Sequence, residues 1–245
     1  MVEALATGSV TVPDGWLQGR TVYGGLSTAL ALAETLRLFP DLPPLRSAQI
    51  AFVGPLAGEM LITPTLLRRG RTAAFVQADV CASGNLGLRA MFVFMHAQDS
   101  HVAMAAPDLA DLPTKGRSLL PPPEVRFAQN FELLDGRMDV DEHPARITRW
   151  ARLRLRDGLA PAVELMAIGD ALPPAAMTLF GKPGPISSMT WQINPIGEPS
   201  TPDGWWLLQS SAHQAEQGSS SQSMAVWTAD GALAATGMQS VALFV

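Results

Sequence analysis

Val22-Tyr23-Gly24-Gly25-Leu26-Ser27-Thr28-Ala29-Leu30-Ala31-Leu32-Ala33-Glu34-Thr35-Leu36 is the stretch on which the fold turns. After the Gly-Gly entry, its polar residues are few and small, so it reads as a helix of about residues 24–38 that is apolar nearly all round and must be buried on most sides. Bare glycines at the start of such a helix leave two uses open. They permit close packing of the helix against a strand. They also expose backbone N–H groups at a positive dipole end, where a carbonyl oxygen or an anion can be held.

Outward from this helix, prolines Pro40, Pro43 and Pro44 stop it, and a run of strands follows. Ser47–Val53 ends at Gly54-Pro55, Met60–Leu67 leads into the Arg68-Arg69-Gly70-Arg71 hairpin, Ala73–Ala82 turns at Ser83-Gly84-Asn85, and Leu88–His96 closes the meander. A short strand over residues 3–12 precedes the helix. From Ala97 to Pro123 the texture is Pro, Asp, Ala and Ser without a period, which reads as a linker. The pattern then restarts. Val125–Leu134 and Ile147–Leu155 are strands, Pro161–Leu172 is a second apolar helix broken by Pro173-Pro174, and four strands follow with Asp230-Gly231 as the last hairpin.

The halves correspond: Gly54-Pro55 matches Asn194-Pro195, Gly58 matches Gly204, and Ser83-Gly84 matches Asp230-Gly231. A helix wrapped by an antiparallel meander, present twice, predicts an α+β fold of the tandem (double) hotdog kind. Two antiparallel sheets join edge to edge around two central helices, so that one chain mimics a two-fold dimer. The expected units are residues 1–105 and 118–245, with 106–117 as linker.

Composition limits function. The 245 residues carry a net charge of −5, 47% hydrophobic and 16% charged residues, which describes a compact core-rich protein and argues against nucleic acid as partner. Cys81 stands alone, and His96, His101, His143 and His213 lack close metal-ligand spacing, so no metal is expected. The amino terminus has no basic region before a long apolar run, and no apolar stretch reaches about 18 residues; a cytoplasmic protein without a membrane span is the expectation.

Val22-Tyr23-Gly24-Gly25, Phe52-Val53-Gly54-Pro55, Leu67-Arg68-Arg69-Gly70-Arg71, the Leu172-Pro173-Pro174 helix exit and Trp227-Thr228-Ala229-Asp230-Gly231 through Gln239 together resemble the double-hotdog acyl-CoA thioesterases of the thioesterase II type. The similarity spans essentially the whole chain. It implies hydrolysis of an acyl-CoA thioester by a polarised water, with no covalent cofactor.

For the chemistry, free helix amides near Gly24 and Gly25 are the expected oxyanion donors, with Tyr23 beside them. The resemblance implies an Asp, a Ser or Thr, and a Gln around the water. Gln239 stands at the Gln position, the Ser or Thr position falls on Ser211 or His213, and the Asp position falls on Ser187, which is no carboxylate base. Asp170 and Glu164 are the alternative carboxylates, unless they only mark a wet face of the second helix. Phe92 holds the place in the first half that Gln239 holds in the second, so one working site is expected. Arg68, Arg69 and Arg71 are candidates for the phosphates of coenzyme A, although arginines on a turn are ordinarily just solvated. Loss of the carboxylate favours the alternative of a non-catalytic acyl-CoA or acyl-carrier binding protein. A hotdog hydratase would pair an Asp with a His a few residues on, and no Asp-x(4)-His occurs here in a strand-to-helix setting. Association of such chains into a homo-oligomer stays open.

Overall fold

The computed structural model describes residues 8–106, 109, 111–136, 143–182 and 184–245. The first helix, α1, spans Gly24–Leu38 and buries Gly25 through Leu32 together with Glu34 and Thr35. A helix can bury polar side chains only if they are satisfied. Here Thr28 and Thr35 donate back to the carbonyls of Gly24 and Ala31, and Glu34 takes both Nε and Nη2 of Arg37 at 2.7 Å. The second helix, α2, spans Pro161–Gly169 and buries everything from Val163 onward. It starts with proline at its first position, where the missing N–H costs nothing, and stops three residues short of the expected Leu172. At Gly169 a side chain would press on the Trp191 and Ile193 side chains, at 3.1 and 3.2 Å, so the helix ends against the sheet.

The strands run β1 Ser9–Thr11, β2 Leu17–Gln18, β3 Thr21–Val22, β4 Leu45–Phe52, β5 Glu59–Arg69, β6 Ala73–Ala82, β7 Asn85–Met95, β8 Phe131–Asp135, β9 Arg146–Leu153, β10 Ile186–Pro195, β11 Trp206–Glu216, β12 Ser219–Thr228 and β13 Leu233–Leu243. All but β2 and β3 form one 11-stranded sheet in the order β1-β5-β6-β7-β4-β10-β13-β12-β11-β9-β8. The halves meet where β4 lies antiparallel to β10, with Gln49 opposite Gln192. The expected joining of two sheets edge to edge is thus a continuous ladder, with both helices packed together against it. Tyr23 links them by donating its hydroxyl to the Ala167 carbonyl at 2.9 Å.

Local expectations differ in two places. Residues 3–7 of the first strand lie outside the described residues. Val125–Leu134 is a strand only from Phe131; Arg126–Asn130 coils into a 3-10 turn that stacks Phe127 on Tyr23 at 4.6 Å. Packing of that ring outweighs the extended propensity of the segment. The second and third strands after α2 run on through Glu216 and from Ser219, joined at Gln217-Gly218, whose φ values of 51° and 75° suit a tight hairpin.

Candidate active site

Asp170 is the first residue after α2, and the antiparallel packing of the helices delivers it to the start of α1. There the amides of Gly24, Gly25 and Leu26 precede the first intrahelical bond, from Ser27 N–H to the Tyr23 carbonyl. The Gly25 amide donates to the Asp170 carboxylate. A Cβ at Gly24 would stand 2.7 Å from Asp170 Oδ2 and 2.9 Å from the Phe52 ring, so only glycine leaves the helix start open beside the carboxylate. At Gly25 a Cβ would strike the Tyr23 ring.

From the sheet, Gln239 on β13 donates Nε2 to Asp170 Oδ1 at 2.9 Å. Its Oε1 accepts from Gln222 Nε2 on β12 at 2.8 Å, and Gln222 Oε1 accepts from the Ala175 amide at 2.8 Å. Gln222 and Gln239 are register partners on adjacent strands and both are buried. The equivalent pair in the first half is Val76 and Phe92, register partners at 0% exposure. One half therefore carries a polar trio and the other a closed core.

Asp170 is half-buried by surface, and its open edge faces a cavity of about 1140 Å³; protein surrounds it elsewhere. Burial pushes its carboxyl up to about 7, against the lowering effect of the bonds from Gln239 and Gly25. The buried Tyr23 phenol is raised well above its ordinary value, first by burial and then by the charge of Asp170. The cavity runs from the start of α1 past Phe52 and Leu56 to the Ser118–Pro122 segment, Met177 and Phe244, with Arg20, Arg117 and Ser187 also on its wall. The segment carrying Arg117 is tied down by Gly116 N–H to the Asp135 carbonyl and Leu119 N–H to the Leu133 carbonyl. Among the described residues no group of three or more His, Cys, Asp or Glu is placed to hold a metal, and no helix is long and apolar enough to cross a membrane.

The expected site residues separate in space. Gly24 and Ser187 line the cavity, and Gly25 binds Asp170. The carboxylate that meets Gln239 is Asp170. Gln239, expected beside a water, is 4% exposed and stands behind Asp170 off the cavity wall. Glu164 is also buried, in an ion pair with Arg156 at 3.2 Å and a bond from Trp206 Nε1 at 3.1 Å, so neither acid marks a wet face. Ser211 is buried and accepts from Arg146 Nε at 2.9 Å, while His213 is exposed; neither lines the cavity. Tyr23 is 1% exposed and packed between Phe127 and the helix, also off the wall. Arg68, Arg69 and Arg71 sit at the exposed far end of β5 and its turn, away from the cavity, where Arg69 pairs with Asp41. Arg20 and Arg117 are instead the exposed cations on the cavity wall. Their sequence signal was slight, each being a single arginine among polar loop residues. Asp170 had a clearer one, as the sole charge in Ala167–Leu172 of an apolar helix.

The likeness to solved structures spans the whole architecture. A hot dog fold protein from Alicyclobacillus acidocaldarius is 21% identical with a TM-score of 0.78, covering 97% of this chain and 92% of its own. The TesB protein of Mycobacterium avium subs paratuberculosis is 18% identical with a TM-score of 0.75, covering 98% and 97%. An acyl-CoA thioesterase II, TesB2, of Mycobacterium marinum is 15% identical with a TM-score of 0.74, covering 91% and 89%. At these identities the likeness establishes the hotdog fold. No curated protein matches the chain. Residues 12–95 match the family profile of the acyl-CoA thioesterase N-terminal domain and residues 103–243 that of its C-terminal domain. The chain belongs to the acyl-CoA thioesterase family.

Proposed function

We propose that the chain hydrolyses acyl-CoA thioesters to free acid and coenzyme A, with Asp170 as general base. The observation that carries this reading is the Asp170 carboxylate, held by Gln239 and the Gly25 amide at the open start of α1, on the wall of a large cavity. The thioester carbonyl oxygen lies at the helix start, where free amides receive the developing negative charge. Asp170 takes a proton from a water whose oxygen attacks the carbonyl carbon. The C–S bond then breaks, and the departing thiolate takes the proton that Asp170 holds, which restores the carboxylate. A carboxyl poised near 7 suits this exchange, since it is ionised enough to accept a proton and basic enough to keep it. Gln239 acts through Asp170, and Gln222 stands behind Gln239. Ser187 has no part in proton transfer in this scheme.

Arg20 and Arg117 at the cavity wall are the cations placed to meet the phosphates of coenzyme A, in place of Arg68, Arg69 and Arg71. The N-terminal family match ends at residue 95 and the C-terminal one begins at 103, and the proposed site draws on both: the helix start from the first, Asp170 and Gln239 from the second. Free-thiol release from a panel of acyl-CoAs tests the reading. Turnover of at least one is expected; binding of acyl-CoA without thiol release from any would favour the non-catalytic alternative.

A further inference from the structure

Three bonds run in series from backbone to carboxylate: Ala175 N–H to Gln222 Oε1, Gln222 Nε2 to Gln239 Oε1, and Gln239 Nε2 to Asp170 Oδ1, at 2.8, 2.8 and 2.9 Å. Amide side chains can ordinarily flip end for end, and the flip decides which end faces a neighbour. Here the first link removes that freedom. A backbone N–H can only donate, so it fixes the oxygen of Gln222 toward Ala175 and its NH2 toward Gln239. Gln239 must then present its oxygen to Gln222 and its NH2 to Asp170. A flipped Gln239 would face the carboxylate with an oxygen, an arrangement that only a protonated Asp170 satisfies.

We infer that Gln222, which lies off the cavity wall and is 0% exposed, is a positioning residue that locks Gln239 as a donor and so keeps Asp170 available as an acceptor. The inference rests on the hydrolytic reading for its consequence in turnover, but its geometry stands independently. The groups that meet Asp170 are the Gly25 amide and Tyr23 from α1 and its entry and Gln239 from β13, while Arg20, Arg117, Arg149 and Glu124 line the same cavity. Of the groups that contact Asp170, Gln239 bonds to Gln222, so replacing Gln222 breaks two links, one to Gln239 and one to the Ala175 amide.

The test is the titration of the Asp170 carboxyl, followed by carbon NMR of the intact chain, with the pH profile of kcat beside it. Gln222→Met keeps side-chain length and removes both polar atoms; Gln222→Leu serves as a second variant of similar bulk should the first not fold. The relay predicts that the Asp170 midpoint, and the acid limb of kcat with it, moves up by about one pH unit, with KM within about twofold. In a Gln239→Leu background the same Gln222 change should move neither. A lowered melting temperature with an unmoved Asp170 titration would mean that Gln222 only fills space, and would overturn the inference. The titration needs no turnover, so it decides the relay even for a wild type that releases no thiol, a result that would overturn hydrolysis alone.

Discussion

A carboxylate that is buried and yet needed in its charged form opposes the fold that holds it. The Asp170 carboxyl is raised from 3.8 to about 7, so between those values the folded chain binds a proton that the unfolded chain releases. The stability linked to Asp170 is full below about pH 4 and is lost as pH rises through 7. Asp170→Asn should therefore melt higher than wild type at pH 8, by on the order of 2–4 kcal/mol, and the gain should vanish near pH 4; thermal melts across pH check this. A wild type that is instead more stable at pH 8 than the variant would mean that the charge is fully compensated. Gly24→Ala tests the other partner. A methyl at that position displaces Asp170 Oδ2 or Phe52, and a shift of that kind should cost about tenfold to a hundredfold in kcat. Unchanged steady-state kinetics would place the carbonyl elsewhere. At Gln239 the buried network raises the cost of truncation: Gln239→Ala orphans a donor of Gln222 and an acceptor of Asp170, a loss of about 1–3 kcal/mol, where an exposed glutamine would have cost little. Phe92→Ala should cost about 3–5 kcal/mol with no direct effect on the reaction, which melts and kinetics on the pair separate.

Among the elements, α1 was legible to the residue because glycines open it and prolines close its surroundings, signals that depend only on local sterics. The hairpins that join β5 to β6 and β6 to β7 were legible from their turn residues, but the return of β4 to the far side of β7 and its seam with β10 were not, since no turn residue encodes a pairing between distant strands. The Asp170 position was not legible in the same way. Its proximity to Gly25 comes from two helices running antiparallel across the seam, a tertiary fact that no spacing of residues 25 and 170 encodes. Gln222 was not singled out, although the alternation of β12, with Ser220, Gln222, Met224 and Val226 turned inward, offered a signal. Arg68, Arg69 and Arg71 lie off the cavity wall because β5 outruns the core, leaving its last residues exposed. The Gly116–Leu119 segment, bonded to β8, carries Arg117 to the wall, and the β2–β3 turn carries Arg20. Arg117→Glu should raise KM for acyl-CoA by roughly three- to tenfold with kcat unchanged, and less so at high salt, while Arg68→Glu should leave both alone. Equal effects of the two would return the phosphates to the β5 turn.

The whole molecule is a pseudo-dimer whose proposed site draws on both halves. The β4–β10 ladder and the pairing of α1 with α2 hold the halves together, while residues 97–106 form no strand and expose Val102 and Met104 at 74% and 92%. A protease site introduced there should give a nicked protein that still migrates as a single 26.1 kDa species and keeps its cavity; separation of the fragments on a sizing column would show that the linker holds them. The same asymmetry, a polar trio in one half and Val76 with Phe92 in the other, predicts one acyl-CoA bound per chain. The most direct test of the whole account is the pH dependence of thiol release from acyl-CoA by wild type and Asp170→Asn. The account predicts a wild-type acid limb near pH 7, and in the folded variant a loss of about a hundredfold or more in kcat with that limb abolished. An Asp170→Asn protein that turns over like wild type would contradict it.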